Sequence, residues 1–421
     1  MGLNKESKEL SILAVSYAFP PLAFPRSIQV ARLLSGLDAD IVVVCAENPK
    51  DGHDPTIAPD IEKKIKYILR VPFKRNTFFR FMDAIAYKIQ IPWANLPDKY
   101  CAWVKTAMKY YKRWQKKNGF KPELLITFAQ PMSDHLFGLA FKKATGTPWI
   151  AHFSDPWTDN PYRTDNFFTS FINRILEKKV ITMADAVVFT SQETMDLVLK
   201  KYSGSFRKKT FLVPHCYDPG VYDSSLTPPA NKYVIRYLGE FYGNRTPHIF
   251  IDALETVYKN VPELLENVIC EFVGSSSKRG GLLEKHPLLK EVVNFREKVT
   301  YLESIKLMQT AHCLLVIDAV ADFSVFFPSK IADYVGAGRF IFAITPRGAS
   351  SRIIKIVGGI ATSPQEPESV SALLRKILAE RPSCLNSSIE ICNYYSKDNA
   401  VRMAQEIISN VVEFRKHGEK I

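Results

Sequence analysis

The run Phe326-Phe327-Pro328-Ser329-Lys330-Ile331-Ala332-Asp333-Tyr334-Val335-Gly336-Ala337-Gly338-Arg339 combines residue types suited to a phosphate-bearing ligand. Pro328 and Ser329 read as a helix start, where free backbone N–H groups and the helix dipole favour an anion. Lys330 adds a cation in the first turn, and Asp333, one turn on, is placed to accept a ribose hydroxyl. Gly336 and Gly338 would end the helix. A plain helix cap is the competing reading. Upstream, Gly239-Glu240-Phe241-Tyr242-Gly243-Asn244-Arg245 follows a strand-like run, and Arg245 with Lys330 would neutralise a diphosphate. A third strand-ending loop, residues 273–281, has the sequence VGSSSKRGG and reads equally as a flexible turn.

The first half has its own candidates. Residues 16–27, SYAFPPLAFPRS, link a strand to a helix and put Arg26 at that helix's N-terminus. Gln130-Pro131-Met132-Ser133-Asp134-His135 begins where a strand-like run ends. So does Ala151-His152-Phe153-Ser154-Asp155-Pro156-Trp157-Thr158-Asp159-Asn160. His152 and Asp155 share one strand end with Trp157, whose ring suits stacking on a sugar. A lone His is more often a structural hydrogen-bonder. No Walker A, HExxH or GxSxG pattern occurs. Asp38-Ala39-Asp40 matches a bare DxD, a metal clamp in one transferase class, and reads as a chance match in a turn.

These loops are positioned by alternating elements. Strand-like runs fall at 11–17, 41–45, 124–128, 149–153, 186–190 and 211–213. In the second half they fall at 233–238, 269–273, 292–295, 313–317, 340–344 and 359–361. Helical patterns lie between them, among them 26–37, 133–145, 191–202, 247–259 and 329–337. Such alternation implies parallel sheets covered by helices. The Pro-, Ser- and Asn-rich stretch 222–232 marks the break, so the class is α/β with two doubly wound, Rossmann-like domains. Ligands of such sheets bind at strand carboxyl ends, making a cleft between the halves the default site. The chain has 421 residues, 46% hydrophobic and 24% charged, which excludes disordered and fibrous classes.

The net charge is +13. Residues 63–121 hold 16 Lys and Arg against two acids, Asp83 and Asp98, so this segment carries the whole excess. Its aromatic residues and cations suit an anionic membrane surface. A solvated helix face over an ordinary core is the alternative. Nucleic acid is the third, without zinc-finger, basic-zipper or RNA-recognition signatures to support it. No apolar run reaches the roughly 18 residues of a spanning helix. The amino terminus lacks a secretory layout, and Glu6 replaces the Ser or Thr of a myristoylation pattern. A cytoplasmic protein with seven reduced, scattered cysteines is expected, peripheral on the inner face of the cytoplasmic membrane.

Taken in order, these motifs resemble the family 4 glycosyltransferases of GT-B fold, the retaining enzymes of cell-surface polysaccharide and O-antigen assembly. The matching series is SYAFPP; Pro97, Asp98 and Trp103; QPMSDH; HFSDPWTDNP; MADAVVFTS; VPHCYDP; YLGEFYGNR; LMQTAHCLLVID; and FPSKIADYVGAGR. The resemblance implies an acceptor-binding domain at 1–225, a nucleotide-sugar-binding domain at 226–395, and a helix at 396–421 crossing back to the first domain. It implies that Arg245, Lys330 and Ser329 bind the donor diphosphate and Asp333 the ribose. Val325, Phe326 and Phe327 would lie near the donor sugar, with Val325 in place of the family's first Glu. Arg26, Trp157 and Asp159 would bind the acceptor, and His152, Asp155 or His135 would orient its hydroxyl. No metal and no cofactor beyond the nucleotide-sugar co-substrate is implied. The acceptor expected beside the basic segment is a lipid-linked glycan. A non-catalytic binding protein and a nucleotide-sugar epimerase are the alternatives.

Overall fold

The computed structural model describes residues 10–47, 52–57, 61–73, 77, 81–82, 85, 96–163, 165–241, 243–274 and 281–416. The chain divides into two compact units, residues 1–214 with 400–421, and residues 215–399. The division falls before residues 222–232 because the connecting stretch packs onto unit 2. There the Tyr217 and Tyr222 rings sit directly against Gly336, and the Tyr222 hydroxyl donates to the Asp333 carbonyl at 2.9 Å.

Unit 1 is a seven-stranded parallel sheet. Its strands are β1 (Ser11–Val15), β2 (Asp40–Glu47), β3 (Tyr67–Pro72), β4 (Leu124–Phe128), β5 (Trp149–Phe153), β6 (Ala186–Phe189) and β7 (Thr210–Leu212). They run in the order β3-β2-β1-β4-β5-β6-β7. The order reverses between β1 and β4, the switch point at which such sheets bind ligands. The central strands read as continuous apolar runs because helices cover both faces. The edge strand β3 lies inside the basic segment, where Arg70 breaks the apolar pattern that would announce it.

The helix α1 (Pro25–Gly36) starts on Pro25, whose missing N–H is an orphan at that position anyway. In α2 (Cys101–Asn118), Trp103, Val104, Ala107 and Tyr111 are buried, while Lys105, Lys109, Lys112, Arg113, Lys116 and Lys117 are exposed. Its larger rings therefore belong to the core, and the part of 63–121 described here as a helix offers solvent mainly cations. Residues 74–76, 78–80, 83–84 and 86–95 of that segment lie outside the described residues. The helix α3 (Ser133–Thr145) stops on Gly146 at φ +71°. Its Gly138 lies against Trp149, where an added Cβ would come within 2.4 Å of the indole. Behind it runs α4 (Phe167–Met183).

Unit 2 repeats the plan with β8 (Tyr233–Leu238), β9 (Val268–Val273), β10 (Val293–Arg296), β11 (Cys313–Ile317), β13 (Phe340–Ile344) and β15 (Ile360–Thr362). The order is β10-β9-β8-β11-β13-β15, reversing between β8 and β11. A separate pair joins β12 (Phe323–Ser324) to β14 (Arg347–Gly348). The helix α5 (Ser329–Ala337) starts after Pro328 and ends on Gly338 at φ +66°. Tyr334 in α5 is fully buried, its hydroxyl accepting the Leu238 N–H at 3.0 Å, which ties the helix to the end of β8. The last helix, α6 (Lys397–Lys416), belongs to unit 1 from Ala400 onward, with Val401 packed on Gly36. Among the described residues no helix is long and apolar enough to cross a membrane.

The Gly138–Trp149 contact sets how closely α3 approaches the sheet. Gly138→Ala should destabilise the protein by about 1–3 kcal/mol, the range for overpacking a filled core, read as a lower urea midpoint at unchanged slope. Wild-type stability in this variant would refute the contact.

Candidate functional site

Each unit gathers polar residues at its own switch point. In unit 2, β8 ends at Gly239, which sits at φ +127°, a conformation that excludes most side chains. A Cβ there would lie 4.0 Å from the Lys330 amine, so the backbone passes close beneath it. Gly274 ends β9 at φ +86°, and its Cβ would lie 3.4 Å from Gly239. Lys330, in the first turn of α5, holds its Nζ 4.0 Å from the centroid of Tyr237. Arg245 from the loop after β8 pairs with Asp318 at 3.1 Å. Asp318 follows β11, is 5% exposed, and accepts the Thr345 hydroxyl at 2.7 Å.

Burial first, then repulsion from Arg245, pulls the Lys330 amine down from its ordinary 10.5 to about 7, against the attraction of Asp318. The constellation thus holds two cationic groups against one carboxylate. Its net charge would attract a further anion. Ser329 is the first residue of α5. Asp333 is 8% exposed, one turn beyond Lys330. Val325 and Phe327 are buried, Phe327 between His215 and Tyr395, so its ring belongs to the core rather than to a sugar site. Phe326 is half-buried, and its carbonyl accepts the Ser350 hydroxyl.

In unit 1, Arg26 is 6% exposed and donates from one terminal nitrogen to His152 Nδ1 at 2.9 Å and to the His152 carbonyl at 3.2 Å. A guanidinium has no acceptor, so His152 Nδ1 accepts and the proton of the neutral ring sits on Nε2. His152 also lines a small apolar void with Leu33, Ile126, Ala404 and Ile407, away from the larger cavity described below. The structure thus makes His152 a partner of Arg26. Burial lowers the Arg26 pKa to about 10, opposed by Asp155 and Asp134, and it remains charged at neutral pH. Asp155 is half-buried and accepts from Gln130 at 2.8 Å and from Ser154 at 3.2 Å.

His135, Trp157 and Asp159 are each held by neighbouring residues. His135 is fully buried, 2.7 Å from the Thr127 hydroxyl through Nδ1. Burial, with Arg26 adding to it, lowers its pKa to about 3, so it stays neutral. Trp157 is buried, donates its indole N–H to Asn173 at 3.0 Å, and lines the larger cavity described below. Asp159 is paired with Lys201. Likewise Asp40 of the DxD match pairs with Lys66.

A cavity of about 620 Å³ opens at the unit 1 switch point. Tyr17, Tyr100, Tyr162, Phe24, Gln130 and Asp98 are among its walls. The Tyr17 and Tyr100 rings lie 4.3 Å apart. Asp98 accepts the Ser133 N–H and hydroxyl at 2.9 and 2.6 Å, capping α3 from a distant loop. Asp134 accepts the Tyr17 N–H at 2.7 Å. Burial drives its carboxyl well above the usual carboxylate range, a rise that the Tyr17 N–H and Arg26 oppose and Asp98 reinforces.

No protein-family profile matches the sequence, and no curated protein sequence does. Solved structures do. Anabaena HepE in complex with UDP is 13% identical with a TM-score of 0.64, covering 95% of this chain and 100% of its own. The lipopolysaccharide outer core galactosyltransferase WaaB is 12% identical with a TM-score of 0.60, covering 95% and 99%. A UDP-N-acetylglucosamine 2-epimerase is 12% identical with a TM-score of 0.58, covering 98% of each chain. The chain has the GT-B fold.

Gln130 begins the segment QPMSDH and Asp318 ends LMQTAHCLLVID, yet the sequence assigns neither of them, nor Thr345, a role. Their signal is positional, a polar residue at or just after the carboxyl end of a central strand. If Asp318 and Arg245 set the state of Lys330, Asp318→Asn should lower the Lys330 pKa further and Arg245→Gln should raise it. NMR titration of the lysine amine would read both; a Lys330 pKa unmoved by either change would refute the coupling.

Proposed function

We propose that the protein is a retaining glycosyltransferase that takes a sugar from a nucleotide-diphosphate-sugar. The supporting observation is the Arg245–Asp318–Lys330 constellation at the carboxyl end of the unit 2 sheet, beside the start of α5. Ser329 and the N-terminus of α5 complete the diphosphate site, and Asp333 takes the ribose. HepE, solved with UDP on the same fold, agrees with this reading.

On this reading the bond from the anomeric carbon to the diphosphate oxygen breaks, and a bond to the acceptor oxygen forms on the same face. The acceptor proton passes to the departing phosphate oxygen. Arg245 and Lys330 are in place before charge develops, the preorganised arrangement that lowers such barriers most. These cations are side chains, so the reading includes no metal. Asp155, held by Gln130, orients the acceptor hydroxyl, and Arg26 fixes the strand end that carries it. The acceptor is a lipid-linked glycan at an anionic membrane, met through the cations of 63–121.

UDP, GDP, ADP and CDP serve as probes. One should bind without metal, and Lys330→Ala should weaken it about 10- to 100-fold, the worth of a charge-assisted contact. Absence of binding to well-folded protein overturns the reading. The epimerase on this fold gives a second reading. Sugar epimerisation of the bound donor without acceptor would decide for it.

The amine titrating near 7 adds a pH dependence. The bound diphosphate favours the protonated amine, so affinity falls as the pH rises above 7. The terminal phosphate titrates near 6 and is constant in charge above 7. Between pH 7.5 and 9 the nucleotide Kd should rise by up to about tenfold per unit. In Lys330→Met the profile should be flat, and a rise retained there would assign it to another group.

A further inference from the structure

The first turns of α4 are turned inside out, whereas Val180 and Ile181 near its end are buried as usual. Phe167, Phe168, Phe171 and Ile175 point outward, with exposures of 89%, 61%, 55% and 38%. Thr169, Asn173 and Glu177, one per turn on the opposite side, are buried. A surface helix ordinarily does the reverse.

The inward polar stripe holds this orientation. Asn173 accepts the Trp157 indole N–H at 3.0 Å and donates to Asp165 at 3.1 Å. Glu177 accepts the Thr158 N–H and hydroxyl at 2.9 and 3.0 Å, accepts the Tyr202 hydroxyl at 2.7 Å, and pairs with Lys201. Rolling the helix to hide its rings would strand a buried carboxylate and an amide, at greater cost than leaving the rings in water.

At 3.6 residues per turn, Phe167, Phe171 and Ile175 stack along one line and Phe168 lies beside it. Arg174, Lys178 and Lys179 are exposed on the same outward arc. The helix's one acid, Glu177, is buried. The outward face is therefore aromatic and cationic, with no exposed carboxylate on the helix. That charge is complementary to an anionic surface, and the rings suit the layer where headgroups meet acyl chains. Tyr162 and Arg163 precede the helix and line the 620 Å³ cavity, with Tyr162 53% exposed.

We propose that this face of α4 docks unit 1 on an anionic lipid bilayer. The rings of Phe167, Phe168 and Phe171 enter the interface, and Arg174, Lys178 and Lys179 meet the headgroups. The cavity then opens near the headgroup layer, where a lipid-linked acceptor presents its glycan. That last point rests on the transferase reading; the docking does not.

The test is flotation of the full chain with phosphatidylcholine vesicles, with and without phosphatidylglycerol, in the absence of nucleotide and acceptor. The wild type should bind the anionic vesicles and release with salt. Phe167→Ser/Phe168→Ser/Phe171→Ser should lose at least about tenfold in binding while unfolding at the wild-type temperature, because these rings are exposed. Arg174→Gln/Lys178→Gln/Lys179→Gln should lose binding to anionic vesicles as well. A wild type that ignores the vesicles, or a triple Ser variant that binds undiminished, overturns the proposal. So does self-association that the Ser variant abolishes without vesicle binding, which assigns the face to a second copy. Vesicle binding and nucleotide binding are read separately, so either reading fails without the other.

Discussion

The site in unit 2 depends on a charge imbalance held out of water. Arg245 and Lys330 face one carboxylate, Asp318, which is itself held by Thr345. Removing an amine and a guanidinium from water is costly, and the cost shows as the Lys330 amine driven down to about 7. An isolated buried cation would have been eliminated or neutralised. The arrangement persists because Tyr237 lies against the amine, and Asp318 supplies one opposite charge. Full neutralisation would leave nothing for an anionic ligand to gain.

The scaffold makes that imbalance tolerable by making it rigid. Tyr334 fastens α5 to β8, so Lys330 cannot withdraw to solvent by moving the helix. Gly239 and Gly274 let two strand ends pass one another under the amine, where side chains would fill the space. Unit 1 uses the same logic with other residues. Arg26 is buried against His152 and the Phe128 ring, while Asp98 reaches from its loop to the start of α3 and Asp134 reaches from α3 back to the loop after β1. In both units the polar groups converge where the strand order reverses, because there neighbouring connections leave to opposite faces and open a gap.

The helix α4 obeys the same balance with opposite appearance. Its aromatic rings stand in water because the buried hydrogen bonds of Asn173 and Glu177 outweigh the gain from covering them. Exposed apolar surface of this kind is stable in a monomer only where the interior is already satisfied. It is also the kind of surface that a partner covers.

Much of the fold was legible in the chain. Strands such as 124–128, 149–153, 313–317 and 340–344 are uninterrupted apolar runs, and α3 and α5 begin and end on Ser and Gly-flanked residues at 133–145 and 329–337. Local propensity and pattern decide these elements. So was the Lys330 cluster, since a cation in a first helical turn after a Pro is a local feature. Side-chain direction was not legible. Phe327 turns inward against Tyr395, far off in sequence, His135 against Thr127 on the preceding strand, and Trp157 against Asn173 on the following helix. Strand β3 was hidden by Arg70, and the ring-out orientation at the start of α4 follows from what lies beneath it. Residue types and order determined the elements and the chemistry available. Which face of each element meets the core was decided by contacts between residues distant along the chain, and these exist only once the sheets have formed.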